Sequence, residues 1–191
     1  MKISVFAASS SKVNGIYIDA ASSLGHILAS EGHEIIYGGG DLGLMGALAD
    51  SARNSGGKIT GVIPKFMVAN GWNHTGVEDM IITEDMNSRK RKIFELADAV
   101  IALPGGIGTL EELTEAITLK QLGLFQGPVV ILNVAGFYDR LLEFLDQLSE
   151  SNFIRSDHRN LWNVASTPYD SLKLVTDYKG WNEDWVNLAR I

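Results

Sequence analysis

The sequence predicts an α/β fold: a doubly wound parallel sheet with helices on both faces. Three observations predict it. Short apolar runs alternate with helical-period segments along the whole chain, the pattern of repeated strand–helix units. The run Ala99–Leu103 is apolar throughout, as in a strand buried on both faces. Glycine clusters stand where apolar runs give way to helices, at 38–46 and 105–108.

Taken in order, Ile3–Ala8 reads as a first strand ending in Ser9-Ser10-Ser11. Ile18, Ala21, Leu24 (or Gly25) and Leu28 line one face of a helix over 15–30, which Gly32 ends. Glu34–Tyr37 is a short strand, a helix follows over 44–54, and Lys58–Ile63 is a strand stopped by Pro64. Residues 65–79 show no period and read as a long loop, a length more often functional than idle. Met80–Thr83 is a short strand, and Asn87 or Ser88 caps a helix running to about 98. Beyond the strand Ala99–Leu103 come a helix over 109–122, a strand Val129–Leu132, an amphipathic helix over 137–149, a strand Trp162–Ala165 and a helix over 169–178. No repeats, linkers or low-complexity tracts interrupt the pattern, so residues 1–191 are expected to form one domain. Residues 156–191 then serve as a packing or dimer extension, and Trp181 and Trp185 pack against the body or a partner subunit.

Composition narrows the function. The 191 residues are 20% charged and 46% hydrophobic, a balance typical of globular proteins. A net charge of −7 argues against a general nucleic-acid or membrane-surface binder. With no cysteine, disulfides, thiolate catalysis and cysteine-ligated metals are excluded, which fits a reducing, cytoplasmic setting. Met1–Ser9 has too short an apolar core for a signal peptide and serves better as a strand. No stretch reaches the ~20 apolar residues of a membrane span.

Chemistry concentrates around Pro104-Gly-Gly-Ile-Gly-Thr109. Strand, glycine turn and helix start together suit an anion: glycines admit close approach, and the first helical turn offers unpaired N–H groups at the positive end of its dipole. The same letters also read as a capping box, with Thr109 capping the helix and Glu112 reaching back. The spacing is neither a P-loop nor a dinucleotide fingerprint. Three loops, 9–11, 38–46 and 104–109, converge at the carboxyl ends of the strands, where doubly wound sheets hold ligands, and this favours a binding site.

Around that turn, Arg89-Lys-Arg-Lys92 places cations at a helix start, the end where the dipole disfavours them. Arg91 and Lys92 read as a solvated face. Arg89 and Lys90 ask for an anionic partner, a phosphate or Glu112. Glu112 and Glu115 can share a helix face, with Glu111 about 100° away. The four histidines (His26, His33, His74, His158) lack metal-ligand spacing and read as surface or packing residues.

Gly38-Gly39-Gly40-x-x-Gly43-Leu44-Met45-Gly46, Gly61-Val-Ile-Pro64, Met86-x-x-Arg89-Lys90 and Pro104-Gly-Gly-x-Gly-Thr109-x-x-Glu112 occur in the order and spacing of the LONELY GUY family, which the chain resembles from its first strand to about residue 155. These are cytokinin riboside 5′-monophosphate phosphoribohydrolases, often mislabelled lysine decarboxylases, and no pyridoxal-phosphate lysine site is recognisable here. The resemblance implies a modified Rossmann fold, usually dimeric. It implies hydrolysis of AMP or N6-substituted AMP to free base and ribose 5-phosphate, with no metal and no cofactor. By position it makes Arg89 and Glu112 catalytic. It assigns nucleotide binding to Gly39, Lys90, Gly105, Gly106, Ile107, Gly108, Thr109, Leu110, Glu111 and Thr118. The chain departs from the family at Gly71, where a glutamate is common, at Asn87-Ser88 in place of His-Glu, and at Ala8 in place of glycine. These departures bear on the choice of base. The competing expectation is a non-catalytic nucleotide or molybdenum-cofactor carrier on the same fold.

Overall fold

Seven strands, all parallel, form one sheet in the order β4-β3-β2-β1-β5-β6-β7 among the described residues 1–181 of this computed structural model. The elements follow one another as β1 (Lys2–Phe6), α1 (Gly15–Ser30), β2 (Glu34–Tyr37), α2 (Gly43–Asn54), β3 (Ile59–Pro64), α3 (Lys65–Ala69), β4 (Asp79–Thr83), α4 (Met86–Leu96), β5 (Ala99–Ala102), α5 (Ile107–Gln121), β6 (Val129–Leu132), α6 (Asp139–Glu150), β7 (Asn163–Ala165) and α7 (Pro168–Thr176).

The chain winds outward from β1 to one edge at β4, returns along α4, and resumes at β5 on the other side of β1. The winding therefore reverses between β1 and β5, and the loops leaving those strands diverge there to open a crevice. Strand periodicity divides the core between the two faces. Ile35 and Tyr37 join Ile3, Val5 and Ile101 beneath α1, α2 and α7, while Ile36 joins Phe6, Val100 and Ile131 on the face of α4, α5 and α6. Consequently α4 and α5 share a face, α4 against β1–β3 and α5 against β1 and β5.

Several local expectations are corrected. The long loop over 65–79 begins with a short helix, α3, whose five residues bury no side chain, so no apolar period marks it. Helix α4 is capped by Asp85 rather than Asn87 or Ser88: the Asp85 carboxylate accepts the Ser88 N–H at 2.7 Å, and the Ser88 hydroxyl accepts the Asp85 N–H at 3.0 Å. Helix α5 begins at Ile107 with Gly106 as cap and no side-chain capping bond, so the Thr109–Glu112 capping box does not form. Residues 156–176 carry the expected last strand, β7, paired to β6, and the last helix, α7, which covers it. Trp181 packs beside His158, its indole N–H reaching the Asp157 carbonyl at 3.4 Å, and Trp185 lies outside the described residues.

Helices α1 and α2 approach closely because Gly25 carries no side chain: a Cβ there would lie 2.4 Å from the Leu48 carbonyl oxygen. Gly25→Val is expected to destabilise the fold by about 1–3 kcal/mol, read as a lowered urea midpoint with an unchanged slope.

Candidate active site

The crevice at the switch point is a cavity of about 350 Å³. Its walls come from the ends of β1 and β2 and from the starts of α4 and α5: Ser9, Gly38, Met45, Arg89, Gly106–Thr109 and Glu112 all line it. The three loops that the sequence brings together therefore meet in one hollow.

Arg89 and Glu112 form its chemical centre. Both side chains are almost wholly buried, and Arg89 Nη1 donates to Glu112 Oε1 at 2.7 Å. Arg89 Nε donates to the Val62 carbonyl at 2.9 Å, fixing the plane of the guanidinium. Gly38 makes room for it, since a Cβ there would lie 2.3 Å from Nη2. Burial pushes the Glu112 carboxyl above the usual carboxylate range, and the Arg89 guanidinium opposes that rise. Glu112 is thus a desolvated carboxylate steered by a cation, an arrangement common where protons are exchanged.

The opposite feature is an electropositive helix start. The first N–H groups of α5 have no intrahelical partner, and the dipole adds positive character there. Leu110 N–H, bonded to the Gly106 carbonyl at 3.0 Å, makes the first intrahelical bond. A Cβ at Gly106 or Gly108 would meet nothing within 4 Å, so the surrounding protein does not demand glycine at either position. The space they leave lies over the amides, where an anion can reach them. Gly105 differs, because a Cβ there would press into Thr109.

The remaining sequence candidates are dispersed. Ile107 and Glu111 line the cavity, Ile107 being 83% exposed. Lys90 is drawn away: Glu111 and Glu115, one turn apart on α5, both bind its ammonium, Glu115 at 3.0 Å. The Glu112–Glu115 face expected from spacing is therefore replaced by a Glu111–Glu115 pair around Lys90, with Glu112 turned to Arg89. Gly39 sits at the end of β2 between two cavity-lining neighbours, with a φ of 77°. Leu110 packs into the core below α5. Thr118 is exposed two turns further along α5, its hydroxyl donating to the Thr114 carbonyl at 2.8 Å, away from the cavity walls.

Sequence reasoning missed an adjoining hollow built from Leu42, Met45, Ile63, Met67 and Trp72. Its one legible signal was the long unpatterned loop. His74 anchors that loop. Its Nδ1 accepts the Gly76 N–H at 3.1 Å, so Nε2 carries the proton it shares with Asp50 Oδ1 at 3.1 Å. His26 contacts Ser55 near the surface, and His158 is fully buried. No cluster of metal-ligating side chains occurs among the described residues.

The fold and crevice together define a Rossmann-type α/β protein with a cleft at its switch point, bordered by the N-terminus of α5. A family model described as "Possible lysine decarboxylase" matches residues 45–175. The probable cytokinin riboside 5′-monophosphate phosphoribohydrolase LOGL1 of Oryza sativa subsp. japonica is 41% identical over 177 residues, 93% of this chain and 79% of that protein. The cytokinin riboside 5′-monophosphate phosphoribohydrolase LOG2 of Arabidopsis thaliana is 39% identical over 186 residues, 97% and 87% of the two. Among solved structures, the molybdenum cofactor binding protein of Rippkaea orientalis superposes with a TM-score of 0.69 at 24% identity, covering 92% of this chain and 94% of that one, a likeness of fold. This chain belongs to the LONELY GUY family.

Two stability outcomes follow from the pair. Arg89→Ala leaves a buried carboxylate unpaired and is expected to cost about 3–5 kcal/mol at neutral pH by denaturant unfolding. Because the folded state raises the Glu112 pKa, its ionisation costs stability above that value, and the cost disappears as pH falls toward the ordinary value of about 4.3. Unfolding measured against pH should therefore show wild type losing ground to Glu112→Gln as pH rises through this window.

Proposed function

We propose that this chain hydrolyses the N-glycosidic bond of a purine nucleoside 5′-monophosphate, AMP or N6-substituted AMP, releasing free base and ribose 5-phosphate. The observation that carries this reading is the buried Arg89–Glu112 pair in the wall of a crevice that also exposes the α5 amides. The 5′-phosphate sits on the amides of Gly106 to Thr109, which leaves the sugar beside Glu112.

Breaking the bond between C1′ and the base nitrogen gives an oxocarbenium-like transition state, positive at the sugar. The Glu112 carboxylate stabilises that charge and accepts a proton from the water that adds to C1′. The departing base takes up one proton, so water is divided between the two products. Arg89 presents only N–H donors and serves to orient Glu112 and bind substrate. Lys90 supports the site from behind through Glu111 and Glu115. Names of the relatives support the cytokinin side of this substrate class. A homodimer working in the cytoplasm completes the reading, supported by the family resemblance, the absence of cysteine and the exposed Leu122 and Leu124 beyond α5.

Incubation with AMP is expected to release adenine and ribose 5-phosphate in equal amounts, and Glu112→Gln to lower the rate by about 10²- to 10⁴-fold. Tight binding of AMP without adenine release would instead identify a carrier. The acid limb of kcat/KM should fall as Glu112 is protonated, at a pH above the ordinary carboxylate value, because burial raises that pKa.

A further inference from the structure

A second chamber of about 450 Å³ opens beside the crevice and shares with it Ser9, Gly38, Met45, Met67 and Arg89. The two adjoin, with Arg89 lining both. Glu112 and the α5 turn border only the first chamber, while Leu42, Ile63 and Trp72 border only the second.

Trp72 is the aromatic ring among the walls of the second chamber. It is 53% exposed, on a loop whose backbone is fastened at several points. Its own N–H donates to the Met67 carbonyl at 3.1 Å, Asn73 bridges Gly40, and His74 N–H donates to the Gly39 carbonyl at 2.8 Å. Phe66 meets the indole edge-on, with ring centres 6.4 Å apart at 80°. A flat π-face is thus held in place at the mouth of an apolar hollow, half in water, with its conformational cost already met by the loop.

We infer that Trp72 is the base-recognising residue of this site: its indole stacks on the purine, and the apolar walls behind it accept a substituent on the exocyclic nitrogen. The inference rests on the phosphoribohydrolase reading, which puts phosphate and sugar in the first chamber and so sends the base past Arg89 into the second. A chamber of this volume falls by itself within the range of about 300–1,000 Å³ of small-molecule sites, so a purine leaves part of it free. Its lining is mainly apolar, with Met45 and Met67 able to adapt to different substituents. Stacking grips the face of the base and tolerates changes at its edge.

The test is binding to the slow variant Glu112→Gln by calorimetry, with and without a change at Trp72. Adding Trp72→Ala is expected to weaken AMP and N6-benzyl-AMP by roughly 5- to 100-fold. Adding Trp72→Phe should keep both within about threefold. Ribose 5-phosphate, which has no base, should bind all three variants equally, a result that general damage to the site would not give. Equal AMP affinity with and without the indole, or a matching loss for ribose 5-phosphate, overturns the role of Trp72. Should Glu112→Gln fail to fold, the KM of Trp72→Ala against active wild type reads the same loss, with kcat little changed. Failure of the activity reading is separate: wild type would release no base from any nucleoside monophosphate, while the calorimetric comparison still decides the role of Trp72.

Discussion

The buried contact between Arg89 and Glu112 is the constraint around which the functional end of this molecule is built. Taking two charges out of water costs several kcal/mol each, and apolar residues of similar volume often serve stability as well or better. Here the outlay is limited by good geometry. The guanidinium has a second partner in the Val62 carbonyl, and Gly38 removes the side chain that would push it away. What the pair gives is position: a carboxylate of raised basicity, held at the edge of the turn that opens α5.

That position follows from the winding of the sheet. Because the chain returns from the β4 edge along α4 and then reverses direction at β5, α4 and α5 lie side by side under β1. Arg89 from one helix and Glu112 from the next are 23 residues apart in sequence and 2.7 Å apart in space. The strand ends that open the crevice also supply its small residues, Ser9 after β1 and Gly38 after β2. Lys90, immediately after Arg89 on α4, points to the neighbouring face and is neutralised by Glu111 and Glu115, which keeps a second cation from competing for Glu112.

Most of this architecture was legible because period and punctuation agreed. Strand β2 and helix α1 appear with the bounds read from their apolar spacing, and the convergence of three glycine- and serine-rich loops follows from parallel winding alone. The errors lie where local signals compete. Asp85, Asn87 and Ser88 are all good caps, and only the three-dimensional bond from Ser88 N–H to the Asp85 carboxylate chooses among them. Thr109 and Glu112 have capping-box spacing, but a cation from another helix takes the carboxylate, a contact no local pattern contains. Helix α3 escaped notice because its residues face the cavity or solvent instead of a core. For the same reason the chamber of Trp72 left no periodic trace: an exposed aromatic in a loop has meaning only beside the walls it faces.

The measurement that bears most directly on the central claim is a crystal structure of the Glu112→Gln protein soaked with AMP. Phosphate oxygens within hydrogen-bonding distance of the amides at 107–109, with C1′ of the ribose against residue 112, is the expected result. A phosphate bound elsewhere, leaving the α5 turn empty, or a sugar facing away from residue 112 would contradict it.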